Sequence, residues 1–311
     1  MHVVEVLLPV FAAIALGAVL RKTGFVTDAL LTGANRLCYW VGLPLVLFRS
    51  LASQTFSAAA GLTLLVVVIG MLACLAAAGG AAVLLRLDRA KVGSFLHTSY
   101  RGNLAFVGFA VVASAFPAGT DGVSEAQKTA ALVLGPIVVI YNVLAVIILT
   151  GGKGGGAAAT AGRVGRSIAT NPLVIASVAG VTYSLVAVGL PSLAARTLEL
   201  GGRFALPLAL LCVGGAIAAV DIRGRMLPAI LSAAIKVTVG PAVGLLAGWA
   251  LGLQGPQLAV AIIFLASPTA IAAYVLTDQL RGDGRLAAGS IVASTVLSVA
   301  SLAVAVALLC P

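Results

Sequence analysis

Three short polar clusters and one isolated lysine stand out in an otherwise apolar chain: Tyr100-Arg101-Gly102-Asn103, Tyr141-Asn142, Ser267-Pro268-Thr269, and Lys236. A guanidinium beside an amide suits a carboxylate, because its planar fork matches the two carboxylate oxygens. Asn103 adds a donor and an acceptor. Pro268 has no N–H and collides with the turn before it, so it frees backbone carbonyls. The hydroxyls of Ser267 and Thr269 then serve either those carbonyls or a ligand. Covalent and metal chemistry lack their parts. There is no HExxH, GxSxG or P-loop, and the glycine run at 151–156 lacks the Lys-Ser/Thr ending. His2 and His97 lie far apart, and Cys38, Cys74, Cys212 and Cys310 share no metal or redox spacing. Neither an enzyme, a cofactor nor a metal site is expected.

The elements that hold these residues follow from composition. Of 311 residues, 61% are hydrophobic and 9% charged, and mean hydropathy is +1.17, well away from the roughly 45–50% apolar and 25% charged of soluble domains. A helix crossing the bilayer needs about 20 mostly apolar residues. Ten such runs are predicted, at 3–20, 35–52, 58–85, 92–116, 129–150, 168–190, 198–220, 226–251, 256–276 and 287–309. The first is expected to be a retained span, since it lacks the basic leader of a signal peptide. The fold class is therefore an all-α polytopic membrane protein.

The two halves resemble each other. A shift of 163 positions carries Pro9 onto Pro172, Gly17 onto Gly180 and Leu43-Pro44-Leu45 onto Leu206-Pro207-Leu208. Each half holds five spans, an odd number, so the second copy is predicted to be inverted. The organisation expected is a first repeat at 1–150, a Gly-rich basic linker at 151–167, and a second repeat at 168–311. Twelve of the 19 Lys and Arg residues fall in the loops after spans one, three, five, seven and nine. The positive-inside rule makes that side cytoplasmic and both termini extracytoplasmic. The net charge of +10 is then a topological signal, and no nucleic acid partner is implied.

Broken helices at matching places in inverted repeats are the strongest sequence pointer to a transporter site. Spans four and nine carry the breaks, at Gly102-Asn103 with Gly108 beyond, and at Ser267-Pro268-Thr269. Half-helix N-termini meeting there favour an anion. Asn103, Ser267 and Thr269 either touch ligand or satisfy broken backbone, and Tyr141 and Asn142 either touch ligand or join helices. Pro44 and Pro207 read as kinks. Lys236, ten residues into span eight, is either a counter-charge or coupling group or a tie to a carbonyl. Arg101 either binds a carboxylate or snorkels.

Taken in order, these residues carry a resemblance. Leu8-Pro9-Val10, Asn35-Arg36, Leu43-Pro44, Arg101-Gly102-Asn103 with Phe106 and Gly108, Tyr141-Asn142, Asn171-Pro172, Leu206-Pro207-Leu208 and Ser267-Pro268-Thr269 with Tyr274 are similar to the auxin efflux carrier family. That family lies within the superfamily that includes bile acid sodium symporters. The resemblance implies ten helices with crossing, broken helices four and nine. It also implies an elevator mechanism in which helices 1, 2, 6 and 7 form the scaffold, and it is compatible with a homodimer. One departure is visible: Ala110 stands where the family usually has a proline after the second glycine of the fourth-helix motif. The function expected is secondary active transport of a small organic anion across the inner membrane, with lipid as surroundings and the coupling ion, proton or sodium, left open. The alternatives are a sodium-coupled bile-acid-like symporter and a membrane sensor that binds without transport.

Overall fold

The computed structural model describes residues 2–52, 58–116, 123–150, 162, 165–166, 169–186, 190–219 and 226–310. Most of the expected linker at 151–167, together with Arg223 and Arg225, lies outside the described residues. In chain order the helices are α1 His2–Lys22, α2 Asp28–Leu37, α3 Leu43–Ala52, α4 Ala58–Leu84, α5 Arg89–Tyr100, α6 Phe109–Ala115 and α7 Glu125–Thr150. They continue as α8 Pro172–Val186, α9 Ser192–Ala219, α10 Leu227–Ala250, α11 Gly255–Ala266, α12 Ile271–Gln279 and α13 Gly284–Leu309. A π-helical turn, Cys38–Gly42, joins α2 to α3, and another, Leu104–Gly108, leads into α6. Among the described residues the only β contact is one antiparallel bridge, Gly102 to Thr269.

Seven helical stretches are long and apolar enough to cross a membrane: Val3–Lys22, Asp28–Ala52, Ala60–Leu84, Glu125–Leu149, Ser192–Ala219, Leu227–Ala250 and Gly284–Leu309. Pro172–Val186, Leu104–Ala115 and Gly255–Ala266 are apolar but shorter. The predicted fourth and ninth spans are thus each two short helices rather than one rod, and the predicted sixth is described as a helix only over Pro172–Val186. Large apolar side chains such as Leu8, Val83, Leu185, Leu246 and Val296 stand exposed along the helices. Such an exterior suits hydrocarbon, and the helices satisfy their own backbone groups there.

Small residues let the helices approach closely. Helix α1 packs along α9 and α3 along α8, while α4 packs along α10, which also lies against α13. A Cβ placed on Gly17 would strike the Leu211 carbonyl, one on Gly214 the Ile14 carbonyl, and one on Gly180 the Phe48 carbonyl. The prolines act locally. Pro44 follows directly on the first π-helical turn, where Leu43 N–H reaches back to the Cys38 carbonyl, a widening that relieves the clash a proline ring makes with the turn before it. Pro207 lies inside the uninterrupted α9. Ala110 is buried within α6, so the first break falls wholly before it.

Candidate functional site

Helix α5 stops at Tyr100 and α11 at Ala266, and the extended residues that follow cross each other. The backbone N–H of Asn103 donates to the Pro268 carbonyl at 2.7 Å, and that of Ala270 donates to the Arg101 carbonyl at 3.0 Å. The breaks therefore satisfy part of each other's backbone, as buried groups without a helical partner require. Further hydrogen bonds hold the second break. Thr269 N–H donates to Ser294 Oγ at 2.9 Å, and Thr269 Oγ1 donates to the Thr98 carbonyl at 3.0 Å. Ser267 Oγ donates to the Ile263 carbonyl at 2.8 Å. Beyond the crossing the chain re-enters helix on both sides, where Val107 and Gly108 N–H both donate to the Asn103 carbonyl. Gly108 is needed there, since a Cβ would sit 2.9 Å from Ser267 Oγ and 3.0 Å from the Phe264 ring.

Beside the crossing lies a cavity of about 430 Å³. Its wall includes Asn103, Leu104 and Ala105 from the start of one half-helix and Ala270, Ile271 and Ala272 from the start of the other. First-turn N–H groups have no partner in their own helix, so two partial positive charges converge on this space. Arg101 also lines it, 8% exposed, with Nη2 donating to Asn142 Oδ1 at 2.9 Å and the guanidinium 5.9 Å from the centre of the Tyr141 ring. Arg101 Nη1 is buried and has no hydrogen-bond partner among the described residues. Among the described residues, no Asp or Glu lines the cavity.

Of the residues singled out from the sequence, Arg101, Gly102, Asn103, Tyr141 and Asn142 meet at this cavity. No side-chain hydrogen bond is formed by Asn103 at the helix start it precedes. Ser267, Pro268 and Thr269 do not line it. They form the crossing itself, with both hydroxyls on backbone carbonyls. Lys236, 1% exposed, stands behind the crossing, its Nζ donating to the Leu265 carbonyl at 2.5 Å. His97 is fully buried, with Nδ1 3.3 Å from Thr277 Oγ1, and lies outside the cavity. Pro44 and Pro207 are also away from it.

The lining residues that were not picked out as site residues from the sequence include Tyr39, Trp40 and Asn171. The first two sit in the Cys38–Gly42 π-helical turn, and the second such turn, Leu104–Gly108, lines the same space through Leu104, Ala105 and Phe106. Asn171 caps α8, its Oδ1 accepting from Leu173 N–H at 3.0 Å. The available signal was composition. Aromatics make up only 5% of the chain, and Trp40 is one of two tryptophans. A second cavity of about 930 Å³ shares Asn35, Ile271 and Val275 with the first and extends to Asp28, Asp278, Asp283 and Arg285 at the helix ends.

With this geometry in view, the likenesses to known proteins are informative. The family described as "Membrane transport protein" matches residues 2–158 and 157–306, nearly the whole chain. The probable auxin efflux carrier component 5c of Oryza sativa subsp. japonica is 31% identical over 147 residues, 45% of this chain and 40% of the relative. Auxin efflux carrier component 1 of Arabidopsis thaliana is 32% identical over 125 residues, 37% of this chain and 20% of the relative. An uncharacterized transporter of Methanothermobacter thermautotrophicus is 25% identical over 308 residues, 96% of this chain and 95% of the relative. The match spans less than half the length of either plant relative. The crossing, the cavity and these matches agree, and the chain belongs to the membrane transport protein family, that of the auxin efflux carriers.

Proposed function

We propose that this protein is a secondary active transporter that carries a small organic anion, a carboxylate, across the inner membrane by elevator-type alternating access. The observation that carries this reading is Arg101. A buried guanidinium with one nitrogen unpartnered, on the wall of a cavity that no carboxylate lines among the described residues, is incomplete without an anion, because an unpaired buried charge is costly. The paired half-helix N-termini act in the same direction. Asn103 and Asn142 supply orienting amides, and Tyr39, Trp40 and Tyr141 supply apolar walls for the body of the substrate.

An inverted repeat of ten spans is the architecture this reading requires, and internal correspondences support it. The shift of 163 that carries Gly17 onto Gly180 also carries Phe48 onto Leu211. The close contact of Gly17 with the Leu211 carbonyl thus has its counterpart in that of Gly180 with the Phe48 carbonyl. At the crossing a shift of 167 carries Arg101 onto Pro268 and Asn103 onto Ala270, which exchanges the two inter-break hydrogen bonds. A division into bundles is supported by packing. Helices α1, α2, α3, α8 and α9 lie against one another, and α4, α5, α7, α10, α11 and α13 form a second group around the crossing. In this reading the second group moves past the first and carries the cavity wall with it. The cytoplasmic side is the one with the basic loops, toward which the larger cavity extends.

The test is uptake of radiolabelled short mono- and dicarboxylates into proteoliposomes. Accumulation by the parent protein, lost in Arg101→Gln at equal incorporation, is the expected result. Specific binding without flux would assign a sensor instead, and no binding of any anion would remove the reading.

A further inference from the structure

A third cavity, of about 210 Å³, lies away from the other two. Helix α9 lines it through residues from Leu198 to Leu206 and lines the 930 Å³ cavity through residues from Cys212 to Ala219, so the two spaces sit at opposite ends of one helix. Arg49 of α3 joins Glu199 and Arg203 of α9 in its wall, and Phe109 of α6 and Gln127 of α7 face them. It is close to the site already described. Phe106 lines the 430 Å³ cavity and Phe109, 1% exposed, lines this one, a single turn further along the same half-helix.

The internal repeat relates these spaces. Asn35, Tyr39, Trp40 and Cys212 line the two larger cavities, and the shift of 163 pairs them with Leu198, Gly202, Arg203 and Arg49, all of which line the small one. The shift of 167 pairs Phe109 with Leu276, a lining residue of the 430 Å³ cavity. In the inverted-repeat reading the small cavity is therefore the compressed counterpart of the open pair, on the extracytoplasmic face. Alternating access exchanges the two conformations between the repeats and opens it.

Shape is shared between the two ends, but charge is not. The 930 Å³ cavity is lined by Asp28, Asp278 and Asp283 against Arg285. The small cavity is lined by Arg49 and Arg203 against Glu199. The repeat counterparts of the two arginines are Cys212 and Trp40, so the repeat itself does not call for either charge. Glu199 Oε1 accepts from Arg203 Nη2 at 2.7 Å, and its Oε2 accepts from Arg49 Nη2 at 3.3 Å. One carboxylate thus spans two guanidinium groups and leaves the three residues with a net positive charge. Their side chains form a path inward, 73% exposed at Arg203, 32% at Glu199 and 15% at Arg49.

We infer that Arg49 and Arg203 form an anion-capture site at the extracytoplasmic mouth, which takes the carboxylate before it reaches Arg101. Glu199 holds the two guanidinium groups with the same paired oxygens that an incoming carboxylate presents, and it competes with that carboxylate for them. The inference rests on the transporter reading and on its sidedness.

The experiment uses naphthalene-1,5-disulfonate, a membrane-impermeant dianion, as the probe. It is added to right-side-out or inside-out membrane vesicles holding the full chain while flux of radiolabelled acetate, lactate, malonate and succinate is followed. From the extracytoplasmic face it blocks flux, less strongly as salt is raised. From the cytoplasmic face roughly ten times as much is needed, because carboxylates outnumber the guanidinium there. Arg203→Gln raises the half-blocking concentration at the extracytoplasmic face about tenfold, as loss of a charge-assisted contact implies, and leaves that at the cytoplasmic face unmoved. Arg203→Lys stays near the parent, and Glu199→Gln lowers the value because the competing carboxylate is gone. Arg49→Gln carries the same readout as Arg203→Gln from the inner end of the path. Equal block from both faces, or a half-blocking concentration that Arg203→Gln does not move, overturns this inference while flux and the transporter reading stand. A parent that moves none of the four anions removes the transporter reading, and this inference with it.

Discussion

Gly102 and Thr269 face each other across a single antiparallel bridge, the one place among the described residues where two segments pair as strands. The pairing lets two helices stop inside the protein with the Asn103 and Ala270 N–H groups satisfied, and it puts both restarting helices on one cavity. Arg101, one residue before the bridge, is the charged side chain carried to that cavity.

Arg101→Met separates stability from binding. The native guanidinium has a single side-chain partner, Asn142, and an unpartnered Nη1. Replacing it with an apolar side chain removes an incompletely paired buried charge, so the ligand-free protein should melt at the same temperature or higher. Anion affinity should fall roughly 100-fold, the equivalent of about 3 kcal/mol for a charge-assisted pair. Thermal unfolding with and without the transported carboxylate checks both signs.

Asn103→Ala and Pro268→Ala should each reduce vesicle uptake while leaving expression intact. Asn103 lacks a side-chain cap bond, so the loss to stability should stay below about 1 kcal/mol. Pro268→Ala restores an N–H that can bond the Phe264 carbonyl and extend α11 through the break. Unchanged transport in both variants would remove the site from this cavity.

Thr269→Val tests the back-bonding hydroxyl. It strands the buried Thr98 carbonyl, at about 1–3 kcal/mol, whereas Thr269→Ser keeps the donor. Denaturant titration in detergent should place the serine variant near the parent and the valine variant clearly below it.

Gly214→Val should prevent α1 and α9 from packing, because its Cβ would already meet the Ile14 backbone. Overpacking of this kind costs about 3 kcal/mol or more when backbone is what must move. Gly79→Val is the control, with nothing within 4 Å of the new Cβ. Size-exclusion profiles should show aggregation of the first variant and a parent-like peak for the second.

Much of this was legible in the chain, and the reasons are local. Gly102-Asn103 and Ser267-Pro268-Thr269 announced themselves because polar and helix-breaking residues are conspicuous inside apolar runs, and a break needs nothing beyond its own few residues. Other outcomes were not local. Whether Ser267 and Thr269 serve a ligand or a carbonyl turned on the Ile263 and Thr98 oxygens lying within reach. Tyr39 and Trp40 sit far from the crossing in sequence, and only the π-helical turn before Pro44 and the packing of α2 bring them to it.

What the sequence determined by itself was that helices would form in lipid, where they would fail, and which residue types would be left at the failures. Hydropathy, proline and glycine act within a turn or two of the chain, so no partner is needed to read them. Only the tertiary structure decided that the two failures satisfy each other, that Arg101 lines a cavity with one buried nitrogen unmatched, and that Lys236 stands behind Gly102. The first and last are relations between residues more than a hundred positions apart, and packing alone brings them together.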